Sequence, residues 1–153
     1  MERVLVDVQR AVDGDDLPDD EDFREWAEVV LAGSDEAVEV TIRLVDVQES
    51  AELNKRYRLK SGPTNVLSFP FEPPPDVHSA LLGDLVICAP LVRQEAVDQG
   101  KQIQAHWAHM VVHGLLHLQG YDHQTAADAR QMESLEIKIL GELGYPDPYC
   151  REG

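Results

Sequence analysis

The sequence predicts an α+β domain: one small mixed sheet of four strands packed with about five helices. Four short runs alternate apolar and polar residues, or read as apolar strands between turn residues. Five longer segments repeat apolar residues at helical spacing. Strands and helices then mix along the chain in an order that suggests helices laid on one sheet. A chain of 153 residues suits a single domain spanning 1–153, long enough to bury about two thirds of its unfolded surface.

Val4 to Gln9 alternates and predicts the first strand. Asp19-Asp20-Glu21-Asp22 opens a helix with the negative charge its N-terminal dipole favours. Phe23, Trp26, Ala27, Val30 and Leu31 follow at helical spacing and Gly33 ends it. Val38, Val40, Ile42 and Leu44 share one face of a second strand. A short helix is expected from about Ser50 to Arg58, with Leu53 and Tyr57 on its inner face. After the loop Ser61-Gly62-Pro63, residues Asn65 to Phe71 predict a third strand, placed at a sheet edge by Pro70. The run Glu72-Pro-Pro-Pro-Asp76 is a stiff connection. Leu82 to Cys88 is the fourth strand, and Pro90 starts a helix that Gly100 can end. A long helix from about Gln102 to Gln119, with Ile103, Trp107, Met110, Val111 and Leu118 as core candidates, should be central to the fold. Thr125 and Asp128 resemble a capping box that opens a last helix through Met132, Leu135 and Ile139 to Gly144.

Net charge is −16, which on its face opposes a nucleic-acid partner. The distribution matters more than the sum. Residues 1–54 carry 17 acidic and 4 basic groups, residues 55–60 four basic and no acidic ones, and residues 61–153 carry 12 acidic and 5 basic. One basic island, Lys55-Arg56-Tyr57-Arg58-Leu59-Lys60, therefore stands in an acidic chain. By composition it reads first as a helix end whose cations complement the C-terminal dipole. Charge interrupts the N-terminal residues before any apolar region develops, so no signal peptide is read, and no segment is long and apolar enough to span a bilayer. Cys88 and Cys150 imply no disulfide framework, in keeping with a reducing compartment.

Half of the six histidines fall within eleven residues, His113-Gly-Leu-Leu-His117-Leu-Gln-Gly120-Tyr-Asp-His123. Four residues apart on a helix, His113 and His117 lie on one face within reach of one cation. Gly120 offers the left-handed conformation that ends a helix, and the chain can return to present His123. Three imidazoles and one open position suit a catalytic zinc rather than a structural one. His109 and His117 stand about 12 Å apart along the axis and cannot share an ion, so His109 reads as a packing or supporting residue. His78 and His106 carry no spacing argument.

The pattern His113, His117, Gly120, His123 fits the extended H-x-x-x-H-x-x-G-x-x-H form of zinc peptidases, which predicts a zincin-like central metal helix. The glutamate that serves those peptidases as general base is replaced by Gly114. A reaction that needs only metal-activated water is therefore favoured over peptide hydrolysis.

His113 to His123, read with Leu53-Asn-Lys-Arg-Tyr-Arg58 and Pro63-Thr-Asn-Val-Leu-Ser-Phe-Pro70, resembles the YbeY family of bacterial metal-dependent endoribonucleases. Gly83-Asp84 and the terminal Leu143-Gly-Tyr-Pro-Asp-Pro-Tyr149 also match, so the likeness runs from about Val4 to Tyr149. The resemblance implies one zinc per chain held by His113, His117 and His123, with Arg58 as the cationic residue needed for activity. Lys55, Arg56, Asn65 and Ser68, in the segments that carry the likeness, are expected on the substrate-binding side. It also implies cytoplasmic cleavage of single-stranded RNA, in maturation of the 3′ end of small-subunit ribosomal RNA and in ribosome quality control. The small ribosomal subunit and a ribosomal protein or GTPase are the partners expected, with no DNA or membrane. Asn65 departs from the aspartate that many members carry. Two other classes stay open at this point: a zinc metallopeptidase, and a ribosome-associated binding protein whose zinc is structural.

Overall fold

Strand residues that alternate in polarity pair into a sheet whose two faces bury different things. The computed structural model describes residues 4–33, 36–77, 79–122 and 124–149. Among these the chain forms β1 (Val4–Arg10), α1 (Asp20–Val30), β2 (Val38–Val45), α2 (Val47–Arg58), β3 (Val66–Pro70), β4 (Leu81–Cys88), α3 (Ala89–Asp98), α4 (Ile103–Leu118) and α5 (Ala126–Glu142).

The strands lie in the order β1-β2-β4-β3. β1 runs parallel to β2 and β2 to β4, while β3 is antiparallel to β4. Each parallel step needs a long crossover, supplied by α1 for the first and by α2 with β3 for the second. The mixed four-stranded sheet with five helices is the one the sequence predicts, and β3 takes the edge that Pro70 requires.

Along β4, Leu85 and Ile87 turn to the main core with Phe23, Trp26, Trp107, Val111 and Leu115. Val86 and Cys88 turn the other way, to a smaller cluster with Val45 and Leu67, against which Leu53 of α2, Phe69 of β3 and Leu91 of α3 pack. α2 thus covers the face of the sheet opposite to α4. Being the core's middle element, α4 packs on α1, α3, α5, β3 and β4, and His106 to Val112 form an unbroken buried run. Phe23 meets Trp26 and Trp107 edge-on, with ring centroids 5.5 and 6.0 Å apart. A fully buried residue such as Leu115 contributes about 2 kcal/mol through lost apolar surface alone.

Gly83 sets how closely α4 approaches the sheet. The register between β2 and β4 shifts there, with Glu39 opposite Leu81 and Val40 opposite Gly83, which makes Leu82 the extra residue of a bulge. Gly83 has φ +154, and a Cβ on it would lie 2.4 Å from the Phe69 carbonyl oxygen and 2.9 Å from Leu118 Cδ2. Only glycine admits both β3 and the end of α4 at this point.

Several expectations change in detail. α2 starts at Val47 rather than near Ser50, because Asp46 caps it by accepting the Glu49 N–H at 2.9 Å. Tyr57 is 57% exposed rather than turned inward, although its ring meets Phe69 at 5.2 Å. Ile103 is half-buried. α1 has a full capping box between Asp19 and Asp22, whereas at α5 Thr125 accepts the Asp128 N–H and no reciprocal bond is formed.

Candidate metal centre

α4 ends as its glycine dictates. The Gly120 N–H bonds the His117 carbonyl at 3.0 Å and the Tyr121 N–H bonds the Leu116 carbonyl at 3.1 Å, with Gly120 at φ +101. These are the paired bonds of a Schellman motif. One turn before it, the His113 and His117 rings meet edge-on with centroids 4.6 Å apart, and their Nε2 atoms are 3.2 Å from each other. Two nitrogens that each bind one tetrahedral zinc at about 2.0–2.1 Å stand about 3.3–3.4 Å apart. The His113 side chain is 24% exposed, so the pair is open to solvent on one side. The two residues fit the ion that the sequence implies.

The His113 ring is held from behind. Its Nδ1 lies 3.3 Å from Oε2 of Glu136, a carboxylate on α5 that is 1% exposed. Oε1 of the same carboxylate takes the Tyr149 hydroxyl at 2.8 Å and His109 Nε2 at 2.5 Å. Burial works against the charged form of Glu136, but its bonds from His109 and His113 and their charges outweigh that and hold its pKa down at about 2. An ionised Glu136 accepts from all three neighbours, so His113 donates through Nδ1, and in the neutral ring this leaves Nε2 with the lone pair a metal needs. Burial, and then the bond to that carboxylate, push the Tyr149 hydroxyl up, so it stays a donor. His109, read from sequence as a supporting residue, joins Glu136 from the preceding turn of α4.

Glu136 and Tyr149 were missed by sequence reasoning. The signal for Glu136 was a carboxylate on the apolar stripe Met132, Glu136, Ile139, Leu140 of a helix, where a charge needs a buried partner. Tyr149 lies 13 residues further on, and nothing local points to its partner.

A second buried histidine joins the other end of α4 to α3 and β3. His106 Nε2 is 2.9 Å from Glu95 Oε1, and the Asn65 amide donates to both oxygens of Glu95 at 3.2 Å. Burial, partly offset by the Glu95 bond, lowers the pKa of His106. Asn65 also accepts the Val66 N–H at 2.7 Å. Ser68, the polar residue of β3, donates to the Gly114 carbonyl at 3.3 Å and so ties β3 to α4 beside His113.

Gly114 lies where that contact is tightest. A Cβ there would be 2.7 Å from Leu85 Cδ2 and 3.3 Å from Val66 Cγ2. The helix runs close to the sheet directly after the first histidine, where the zinc peptidases place their glutamate.

Lys55, Arg56 and Arg58 are exposed in the last turn of α2, on the other face of the sheet from the histidines, and complement that helix's C-terminal dipole. The Arg58 side chain has no hydrogen-bond or ion-pair partner among the described residues. Leu59, which follows, takes the left-handed conformation at φ 58 with its side chain 88% exposed. The loop behind it is fastened by Asn54 to the Gly62 carbonyl at 2.9 Å and by Ser50 to the Thr64 carbonyl at 2.8 Å. His123, the third ligand expected, lies outside the described residues, as do His78 and Cys150. Among the described residues no group of three metal-ligating side chains is gathered.

Comparison with known proteins bears on the family and the fold. The family model for endoribonuclease YbeY matches residues 10–144. The solution structure of TM1509 from Thermotoga maritima superposes with a TM-score of 0.59 at 25% sequence identity, covering 96% of this chain and 100% of that one. With its matched segment running from the end of the first strand to the end of the last helix, this chain belongs to the endoribonuclease YbeY family.

Proposed function

We propose that this protein is a zinc-dependent endoribonuclease that cleaves single-stranded RNA. It acts in maturation of the 3′ end of small-subunit ribosomal RNA and in ribosome quality control. The observation that carries the metal dependence is the His113–His117 pair, with Nε2 atoms 3.2 Å apart and the His113 ring backed by buried Glu136. Family membership supports RNA as the substrate.

In this reading His113, His117 and His123 hold one zinc in a zincin-like centre at the end of α4. When bound, zinc supplies Lewis acidity toward a phosphoryl oxygen and brings the pKa of water toward about 7. Glu136 keeps His113 in the donating tautomer, and Gly120 gives the chain its reversal toward residue 123. Arg58, exposed at the end of α2, grips an RNA phosphate through its planar fork, and Lys55 and Arg56 add attraction along the strand. Asn65 and Ser68, already bonded to Glu95 and to the Gly114 carbonyl, serve the substrate side by fixing the edge strand β3.

The same reading places the protein in the cytoplasm, on the small ribosomal subunit, with a ribosomal protein or GTPase as partner and no DNA substrate. An acidic protein suits delivery of RNA by a basic partner. No described helix is long and apolar enough to cross a membrane. The peptidase alternative is disfavoured by Gly114, where a glutamate side chain would start against Leu85.

Zinc-loaded protein incubated in parallel with a defined single-stranded RNA and an unfolded polypeptide tests the assignment. Cleavage of RNA alone is expected. Cleavage of the polypeptide with intact RNA would replace it with the peptidase reading.

A further inference from the structure

Glu136 occupies a position that a hydrophobic residue would ordinarily fill. It sits in the middle of α5, 1% exposed, on the stripe with Met132, Ile139 and Leu140. A buried carboxylate is retained only where donors surround it. Three do so here, from two separate parts of the chain: His109 Nε2 at 2.5 Å and Tyr149 Oη at 2.8 Å on one oxygen, and His113 Nδ1 at 3.3 Å on the other. His109 Nδ1 is buried with no hydrogen-bond partner, so His109 is committed to Glu136 through its other nitrogen. Tyr149 reaches in from the segment after α5, its ring edge-on to His109 with centroids 5.4 Å apart.

Resting on the metal reading above, we infer that Glu136 is a positioning residue for His113 and that Tyr149 secures Glu136, which makes the segment after α5 part of the metal centre. The chemistry follows from what each group can accept. An ionised carboxylate takes all three donors at once. A glutamine in its place keeps one accepting oxygen and gains an N–H2 that itself needs an acceptor. In the Glu136→Gln protein the amide is matched by turning one imidazole to its other tautomer. If that ring is His113, its proton moves to Nε2, the nitrogen that faces His117, and the ligand is lost. Tyr149→Phe removes one donor of three and leaves the carboxylate charged, so its effect is smaller and in the same direction.

The test uses the full chain with zinc as the probe. Zinc affinity is measured by competition with a chromophoric chelator for wild type, Glu136→Gln, Tyr149→Phe and His117→Ala, with folding checked by circular dichroism. The imidazole nitrogens of the zinc-free proteins are followed by ¹⁵N NMR. Glu136→Gln is expected to bind zinc about 10- to 100-fold more weakly and to show a changed protonation pattern on its imidazoles, while Tyr149→Phe loses several-fold. Should Glu136→Gln fail to fold, Tyr149→Phe decides alone. Wild-type affinity together with unchanged imidazole signals in the folded variants would overturn the positioning role. If instead wild type and His117→Ala hold equally little zinc, the metal reading itself fails and the inference with it.

Discussion

Gly114 lies against Leu85 so closely that a single added carbon would stand 2.7 Å from the leucine's Cδ2. Leu85 is fully buried on β4, so it has little room to yield. This contact fixes the depth at which α4 rests on the sheet, one residue after His113, and Ser68 fastens the same spot through the Gly114 carbonyl.

Gly114→Ala should therefore destabilise the protein even though alanine is the better helix former. Overpacking a filled core costs about 1–3 kcal/mol, against about 1 kcal/mol gained from helix propensity. A net loss of up to about 2 kcal/mol is expected from urea unfolding, and a variant more stable than wild type would show that the helix can lift from the sheet without cost. Gly114→Glu should unfold more readily still and gain no peptidase activity.

Arg58→Lys and Arg58→Ala should both lose RNA cleavage, by roughly 100-fold if the guanidinium fixes the bound strand by gripping a backbone phosphate. Zinc content should not change, since α2 lies on the other face of the sheet from the histidine pair. Cleavage retained in both variants would remove Arg58 from the reaction.

Acid should weaken the fold through His106. Burial lowers its pKa in the folded protein below the ordinary 6.5, so the unfolded chain binds the proton more readily just below that pH. By linkage, stability falls as pH drops below about 6.5 and continues to fall until the folded-state pKa is passed. His106→Gln keeps a polar partner for Glu95 without the titration. Its unfolding free energy should decline less between pH 6.5 and 5 than that of wild type, and identical slopes would place the acid sensitivity elsewhere.

Much of the architecture was legible because its signals are local. Period-two runs gave the four strands and period-3.6 runs the five helices. Pro70 placed β3 at an edge, and Gly120 marked the end of α4 that its φ of +101 confirms. The early start of α2 was readable in Asp46-Val-Gln-Glu49, a capping pattern hidden by the apolar end of β2. Tyr57 faces outward because β3 is an edge strand, which leaves no second layer beyond Phe69 to bury it. The histidine pair was readable from spacing alone. Its support was not, because Glu136 and Tyr149 reach His113 and His109 only through the packing of α5 on α4, and residue spacing says nothing about which helix a given face meets. The same holds for Asn65, Glu95 and His106, brought together from three elements.

The measurement closest to the central claim follows zinc and RNA cleavage in the same preparations. Wild type and His117→Ala are purified in parallel, their metal is counted by elemental analysis, and each is given a defined single-stranded RNA before and after chelation. About one zinc per wild-type chain is expected, with cleavage lost on chelation, restored by zinc, and absent together with the metal in His117→Ala. A full equivalent of zinc in His117→Ala, or undiminished cleavage by metal-free wild type, would contradict a metal centre built on this pair.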